Sequence, residues 1–195
     1  MTIHIMLDLE TMGVGISPAI MEIAAVVFDP EGNTQDIEHH FHSGVTLASS
    51  VMSGLKITDS TIDFWRKQSD AAKQSMYSSQ TTGNELLGVA LEWFFEWIGE
   101  LKAEFKDDDI RLWGNGILAD NLWLYSACEA VGIDFSSNVS HWEHSDFRTL
   151  METCEAVTGV NPKKELDFVG VQHNPVDDCI HQIKCVQAAF AELKK

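Results

Sequence analysis

Apolar and polar positions alternate loosely from Ile3 to Glu10, and a second apolar run from Ala19 to Phe28 ends at the turn signal Asp29-Pro30-Glu31-Gly32-Asn33. Alternation resumes from Asp36 to Ser43, so the N-terminal stretch predicts a three-stranded antiparallel meander. Beyond it the period changes. Ser60 or Thr61 can cap a short helix through Phe64, Trp65 and Gln68. From Gly83 to Ala103, Leu86, Leu87, Ala90, Leu91, Phe94, Ile98 and Leu101 fall at helical spacing. An acidic stretch from Glu104 to Asp109 then precedes a short buried strand, Ile110 to Trp113. Helices follow over Asp120 to Val131, closed by Gly132, over Asp146 to Val157, stopped by Gly159, and over Pro175 to Leu193. With no internal repeat or linker, this is an α/β or α+β fold in a single domain over residues 1–195.

Composition supports a folded domain: 45% of the 195 residues are apolar and six are tryptophan, enough for a full core in one domain. No apolar run approaches a membrane span, and the acid-bearing N-terminus lacks a basic flank, so neither insertion nor export is expected. Cys128, Cys154, Cys179 and Cys185 show neither zinc-type spacing nor a disulfide framework, which fits a reduced, cytoplasmic compartment. The formal charge of -17 argues against a protein that embraces a long polyanionic backbone.

Three elements carry candidate chemistry. In Asp8-Leu9-Glu10, at the end of the first strand, the period of two puts both acids on one face while Leu9 turns into the core. Two close carboxylates repel unless a cation compensates them, and oxygen donors suit hard ions such as Mg²⁺ or Mn²⁺. An isolated Asp-x-Glu is also an ordinary edge-strand motif with solvated acids. The second element, Trp113-Gly114-Asn115-Gly116-Ile117-Leu118-Ala119-Asp120, is a Gly-rich turn from strand to helix, in which Asp120 is either a ligand or a helix-capping acid. In the third, Gln172-His173-Asn174-Pro175-Val176-Asp177-Asp178, Asn174 can cap and Pro175 can open the last helix. Asp178, one turn in, can reach back toward His173, although either Asp177 or Asp178 could be a plain dipole-stabilising acid.

Taken in order, Asp8, Glu10, Asp120, His173 and Asp178 resemble the five residues of the DEDDh family of 3′→5′ exonucleases, on the ribonuclease H-like fold. The stretches Asp8 to Gly13, Trp113 to Gly116 and His173 to Pro175 are similar to phage and prophage exonucleases of the exonuclease VIII type. So are Thr61 to Gln68 and Asp146 to Thr149. Ala119 and Pro175 stand where relatives carry a bulky residue and an alanine, and neither change removes a catalytic group. The resemblance implies a central mixed sheet with helices around it and two Mg²⁺ or Mn²⁺ ions held by Asp8, Glu10, Asp120 and Asp178. It also implies His173 as general base and hydrolysis of phosphodiester bonds to nucleoside 5′-monophosphates. Thr11 and Met12 would contact the last nucleotide, with Asn115 and Trp65 as further substrate-binding candidates. Core filling is an equal reading for Met12, and packing the favoured one for Trp65.

The implied partner is the 3′ end of a nucleic acid strand in the cytoplasm of a bacterium or phage-infected host. Single-stranded DNA is preferred because the nearest resemblance is to phage DNA-processing enzymes, and RNA is the alternative. A non-catalytic binding module would show loss of one of the five residues, and all five are present. Bound ions and a grip limited to the last few nucleotides would soften the charge objection, with low processivity and a need for low salt. A zinc site among His39, His40, His42, His141 and His144 lacks an acid or cysteine at matching spacing, so these read as surface histidines. The apolar content of the last helix and of the stretch around Trp93, Phe94, Phe95 and Trp97 is compatible with a homodimer.

Overall fold

The computed structural model describes residues 2–32, 39–106 and 109–195. Strands β1 (Ile3–Thr11), β2 (Ile20–Phe28) and β3 (His40–Val45) form the expected antiparallel meander. The predicted turn residue Asn33 and the predicted strand start, Asp36 to Glu38, lie outside the described residues, as do Asp107 and Asp108. Three further strands, β4 (Asn84–Glu85), β5 (Ile110–Gly114) and β6 (His144–Asp146), join in parallel. The sheet order is β4-β3-β2-β1-β5-β6, a mixed α/β arrangement with β1 and β2 at its centre.

Period-two alternation on β1 divides the core. Ile3, Ile5, Leu7 and Leu9 pack with Leu91, Phe94 and Ile98 of α4 (Leu87–Phe105) and with Leu124 and Ala127 of α5 (Leu122–Val131). Met6 turns the other way, joining Ala24, Val26 and Trp113. There it meets Phe147 and Met151 of α6 (Phe147–Thr158) and Cys179, Ile183 and Val186 of α8 (Pro175–Leu193). Asp8 and Glu10 continue the Met6 face, and therefore emerge on the α8 side. The Cys179 thiol donates to Met6 O at 3.4 Å, which sets the height of α8 on β1.

Local stops follow the chemistry expected of them. Gly132 and Gly159 end α5 and α6 in the left-handed region, and the Asn174 side chain accepts from Asp177 N at 3.1 Å to cap α8. Three expectations shift. Helix α2 (Asp59–Lys67) begins before Ser60, and the flanking Thr58 hydroxyl meets that of Thr61 at 2.9 Å. Leu86 is not on the buried face of α4 but precedes it, 61% exposed, because Gly83 and β4 occupy the predicted start. The helix predicted from Asp120 opens with a π-helical turn, Ile117–Asn121, and becomes α-helical only at Leu122.

Helices α1 (Leu47–Met52), α3 (Asp70–Thr81) and α7 (Pro162–Glu165) escaped the periodicity analysis, since each is short or lacks an apolar stripe. Phe94 and Phe95 are buried within the chain, and Trp97 packs on Phe41, so most of the apolar surplus behind the homodimer expectation is taken up internally. The four cysteines are free and buried. No helix among the described residues is long and apolar enough to cross a membrane.

Candidate active site

At the end of β1 the strand pairing with β2 slips between Glu10 and Thr11, so the chain leaves the sheet just after its two acids. Asp8 is 8% exposed, and its Oδ1 accepts from Gln182 Nε2 at 2.8 Å. Glu10 is also buried, with its Oε1 4.0 Å from His173 Nδ1.

Asp120 arrives from the far side of β1. The close approach of Gly114 to Asn121 makes this possible, since a Cβ on Gly114 would lie 2.1 Å from Asn121 Oδ1. The π turn then aims the Asp120 carboxylate back at the strands, where it accepts from Leu9 N at 3.3 Å and Asn115 N at 2.8 Å. Asp120 is thus lashed to β1 itself. The Asn115 side chain has a different partner, its Oδ1 accepting from Arg148 Nε at 3.4 Å.

The third element resolves the choice between its two acids. Asp177 is consumed by the preceding loop, accepting from Val171 N at 2.8 Å and filling the space beside Gly170. Asp178 accepts from His173 N at 2.8 Å and faces the pocket. His173 has φ +65°, a conformation few non-glycine residues adopt, and this bond from its N–H helps to hold it there. Its ring stands edge-on to Phe64 and Trp65, at 5.1 and 5.8 Å between centroids. One ligand atom from each of Glu10, His173 and Asp178 lies within 4.8 Å of the others.

Burial and mutual repulsion govern the charges. Burial, then Asp120 and Asp178, push the Asp8 carboxyl well above its ordinary range against the bond from Gln182. Burial and Asp8 push Glu10 well up as well. Burial carries Asp120 to about 6 against the bonds from Asn115 and Leu9, and Asp178 to about 6 against the bond from His173. Burial lowers His173. Four carboxylates that each resist ionisation in one another's company form an oxygen-rich pocket whose charge a hard divalent cation would relieve, so the residues present fit such an ion.

Beside this pocket, Thr11 is buried and its hydroxyl donates to Gly13 O at 2.8 Å. Trp65 is 4% exposed and its indole N–H donates to Thr11 O at 3.0 Å, so Trp65 braces the loop and His173 from behind. Met12 is half-buried and opens onto a cavity of about 810 Å³ lined by Leu47, Ile57, Ile62, Trp65 and Tyr77, with the cations Arg66 and Lys73.

Two buried polar residues here escaped the sequence reading. Gln182 sits one helical turn beyond Asp178 on α8, a spacing that could have marked it. Glu22, a lone acid in an apolar strand, is opposite Glu10 in the β1–β2 register and 1% exposed. Its Oε2 lies 3.0 Å from His42 Nε2, so an acid does stand beside the His39 to His42 group, across the strands rather than along one. Among the described residues the histidines gather no zinc-type cluster, and His144 instead bonds Asn121 Nδ2 and stacks on Phe135.

An exodeoxyribonuclease of Enterobacteria phage T4 is 28% identical over 207 aligned residues, covering 94% of this chain and 87% of the relative. Among solved structures, cell-death related nuclease 4 superposes with a TM-score of 0.68 at 15% identity, over 97% of this chain and 64% of that one. The nuclease domain of 3′hExo, a DEDDh family member bound to rAMP, gives 0.66 at 14% identity, over 97% and 92%. The family described as the 3′-5′ exoribonuclease Rv2179c-like domain matches residues 3–190. The chain belongs to that Rv2179c-like family, and is a DEDDh-type 3′→5′ exonuclease on the ribonuclease H-like fold.

Proposed function

We propose that this single domain, residues 1–195, removes nucleoside 5′-monophosphates stepwise from the 3′ end of single strands, with DNA preferred. The observation that carries this reading is the gathering of Glu10, His173 and Asp178 at the end of β1, with the buried Asp8 and Asp120 near enough to act on the charge of Glu10. There Asp8, Glu10, Asp120 and Asp178 would hold two Mg²⁺ or Mn²⁺ ions. When bound, such ions neutralise charge on the phosphate and make water nucleophilic near neutral pH.

The chain's own groups do the rest. Burial lowers the His173 imidazole below its ordinary value, which favours the neutral form that can take a proton from the attacking water. Phe64 and Trp65 hold the ring upright, and Asp178 fixes the backbone that carries it. Gln182 fixes one oxygen of Asp8. Met12 and the cavity beside it receive terminal bases, which a soft thioether can pack against without reading sequence.

The phage relative's description as an exodeoxyribonuclease supports DNA, whereas the family description as exoribonuclease supports the second reading, RNA. The test is release of mononucleotides from 5′-labelled single-stranded DNA and RNA in Mg²⁺ or Mn²⁺, with Asp8→Asn as the control. Stepwise shortening that Asp8→Asn abolishes supports the reading, and the DNA/RNA rate ratio chooses the substrate. If the wild type leaves both strands intact, the reading falls.

A further inference from the structure

We propose that Arg148 and Lys163 form a phosphate-binding edge to the carboxylate pocket, receiving a phosphodiester oxygen of the strand being shortened. The proposal rests on the exonuclease reading above and adds to it where the strand's charge is met.

Neither cation lies at random on the surface. The Asp146 carboxylate caps α6 by accepting from Thr149 N at 2.7 Å, and with its other oxygen accepts from Ile117 N at 2.8 Å. This ties the first turn of α6 to the turn that carries Asp120. Arg148, in that helical turn, consequently lies along Asn115-Gly116: its Nε is 3.4 Å from Asn115 Oδ1, and a Cβ on Gly116 would stand 3.9 Å from its guanidinium. The backbone N–H of the same Asn115 holds Asp120. Lys163, on α7, places Nζ 5.3 Å over the ring of Phe147, the buried neighbour of Arg148. Burial and the nearby Arg148 charge lower the Lys163 ammonium, while Asp178 and Asp8 act the other way. Arg148 in turn acts on Asp120. The two cations therefore feel each other and the pocket.

Their place beside the pocket, together with the lack of an ion-pair partner, sets them apart. Arg66, Lys73, Lys164, Lys194 and Lys195 each lie within ion-pair distance of a carboxylate. Among the described residues Arg148 and Lys163 have no such partner, and neither do Lys56, Lys67, Lys102, Arg111 or Lys184, but Arg148 and Lys163 are the cations whose charges act on Asp120 and Asp178. Two uncommitted cations beside a pocket suited to divalent metal oppose metal entry, and they repel one another. An arriving phosphate reverses both effects, because each cation then gains a charge-assisted bond and releases counterions. The same arrangement explains how a chain of charge -17 can approach a polyanion: it offers cations at one point instead of along a track.

The experiment is fluorescence anisotropy of a short 5′-labelled single-stranded deoxyoligonucleotide in Ca²⁺, between about 50 and 200 mM salt. Arg148→Ala and Lys163→Ala should each flatten the dependence of log K on log salt by about 0.7 and weaken binding roughly fivefold at 0.1 M. Arg148→Lys should keep the slope, and Lys194→Ala, remote and paired with Glu31, should leave both slope and affinity unchanged. Calorimetry should show weaker binding of a nucleoside 5′-monophosphate to the alanine variants, with binding of the bare nucleoside unaltered. Unchanged slopes together with a lower melting temperature of the metal-free protein would overturn the proposal, since the cations would then serve only to offset the acids. If the wild type binds the strand and shortens it while all variants bind equally, this inference alone fails. If the wild type neither binds nor shortens any strand, the exonuclease reading fails with it.

Discussion

Glu10 and Met12 are two residues apart, yet they open onto surroundings built from opposite materials. Behind Glu10 lies a pocket whose Asp8, Glu10 and Asp120 are each buried and press on one another's charge. Beyond Met12 the walls are mainly apolar, with Leu47, Ile57, Ile62 and Tyr77, and the charged Arg66, Asp70 and Lys73 stand among them. The slip in strand pairing between Glu10 and Thr11 divides the two, and Trp65 braces the division through Thr11 O. Charge chemistry and a mainly apolar cavity thus occupy adjoining compartments of one short segment, which on the proposed reading would let a strongly acidic chain hold a strand end without a basic track.

The division can be tested by perturbing each side. The largest effect is expected at His173: His173→Ala should lower kcat by about 10²- to 10⁴-fold, the usual worth of a general base, with Mn²⁺ affinity little changed. Rapid-quench assays and Mn²⁺ electron paramagnetic resonance would measure the two separately, and a collapse of ion binding would make His173 a ligand. Gln182→Leu should weaken Mn²⁺ binding by about 10- to 100-fold, because Asp8 loses the donor that orients it. The metal-free variant should melt no lower, since among the described residues Gln182 Oε1 is buried without a partner in the wild type.

Next comes pH. Asp8, Glu10, Asp120 and Asp178 all have folded-state pKa values above their ordinary ones, so the folded protein holds protons that the unfolded chain gives up. The stability they contribute is present in full below about pH 4. It falls as pH rises through about 6, where Asp120 and Asp178 ionise, and continues to fall as Asp8 and Glu10 follow. The melting temperature of the metal-free protein should therefore drop across this window from these groups, and added Mn²⁺ should raise it much more at pH 7.5 than at pH 5. Equal rescue at both would show that the ion is not competing with those protons. The smallest effect is on the apolar side: Met12→Ala should raise KM for a short oligonucleotide by about 2- to 10-fold, with kcat and Mn²⁺ affinity retained. A change in Mn²⁺ affinity would erase the boundary between the compartments.

Much of this site was legible before any coordinates. The period of two on β1 places Asp8 and Glu10 together whatever surrounds them, and the Asn174-Pro175 start of α8 fixes where Asp178 sits relative to His173. Stops at Gly132 and Gly159, and the three strands of the meander, follow from equally local rules. What local rules could not supply was depth and pairing across the chain. Gln182 and Asp8 are 174 residues apart and meet only because α8 docks at one height on β1. Asp120 reaches the pocket through a π turn that no periodicity signals, and Asp177 is withdrawn from it by a loop that needs its carboxylate. Glu22 reads as an oddity in a strand until register places it opposite Glu10. Residue order alone dictates which residue types stand at element ends and which share a face, because side-chain direction repeats with the backbone. The tertiary structure alone decided which of those groups are desolvated together, because burial and charge coupling depend on distances between elements that the chain brings together only when it folds.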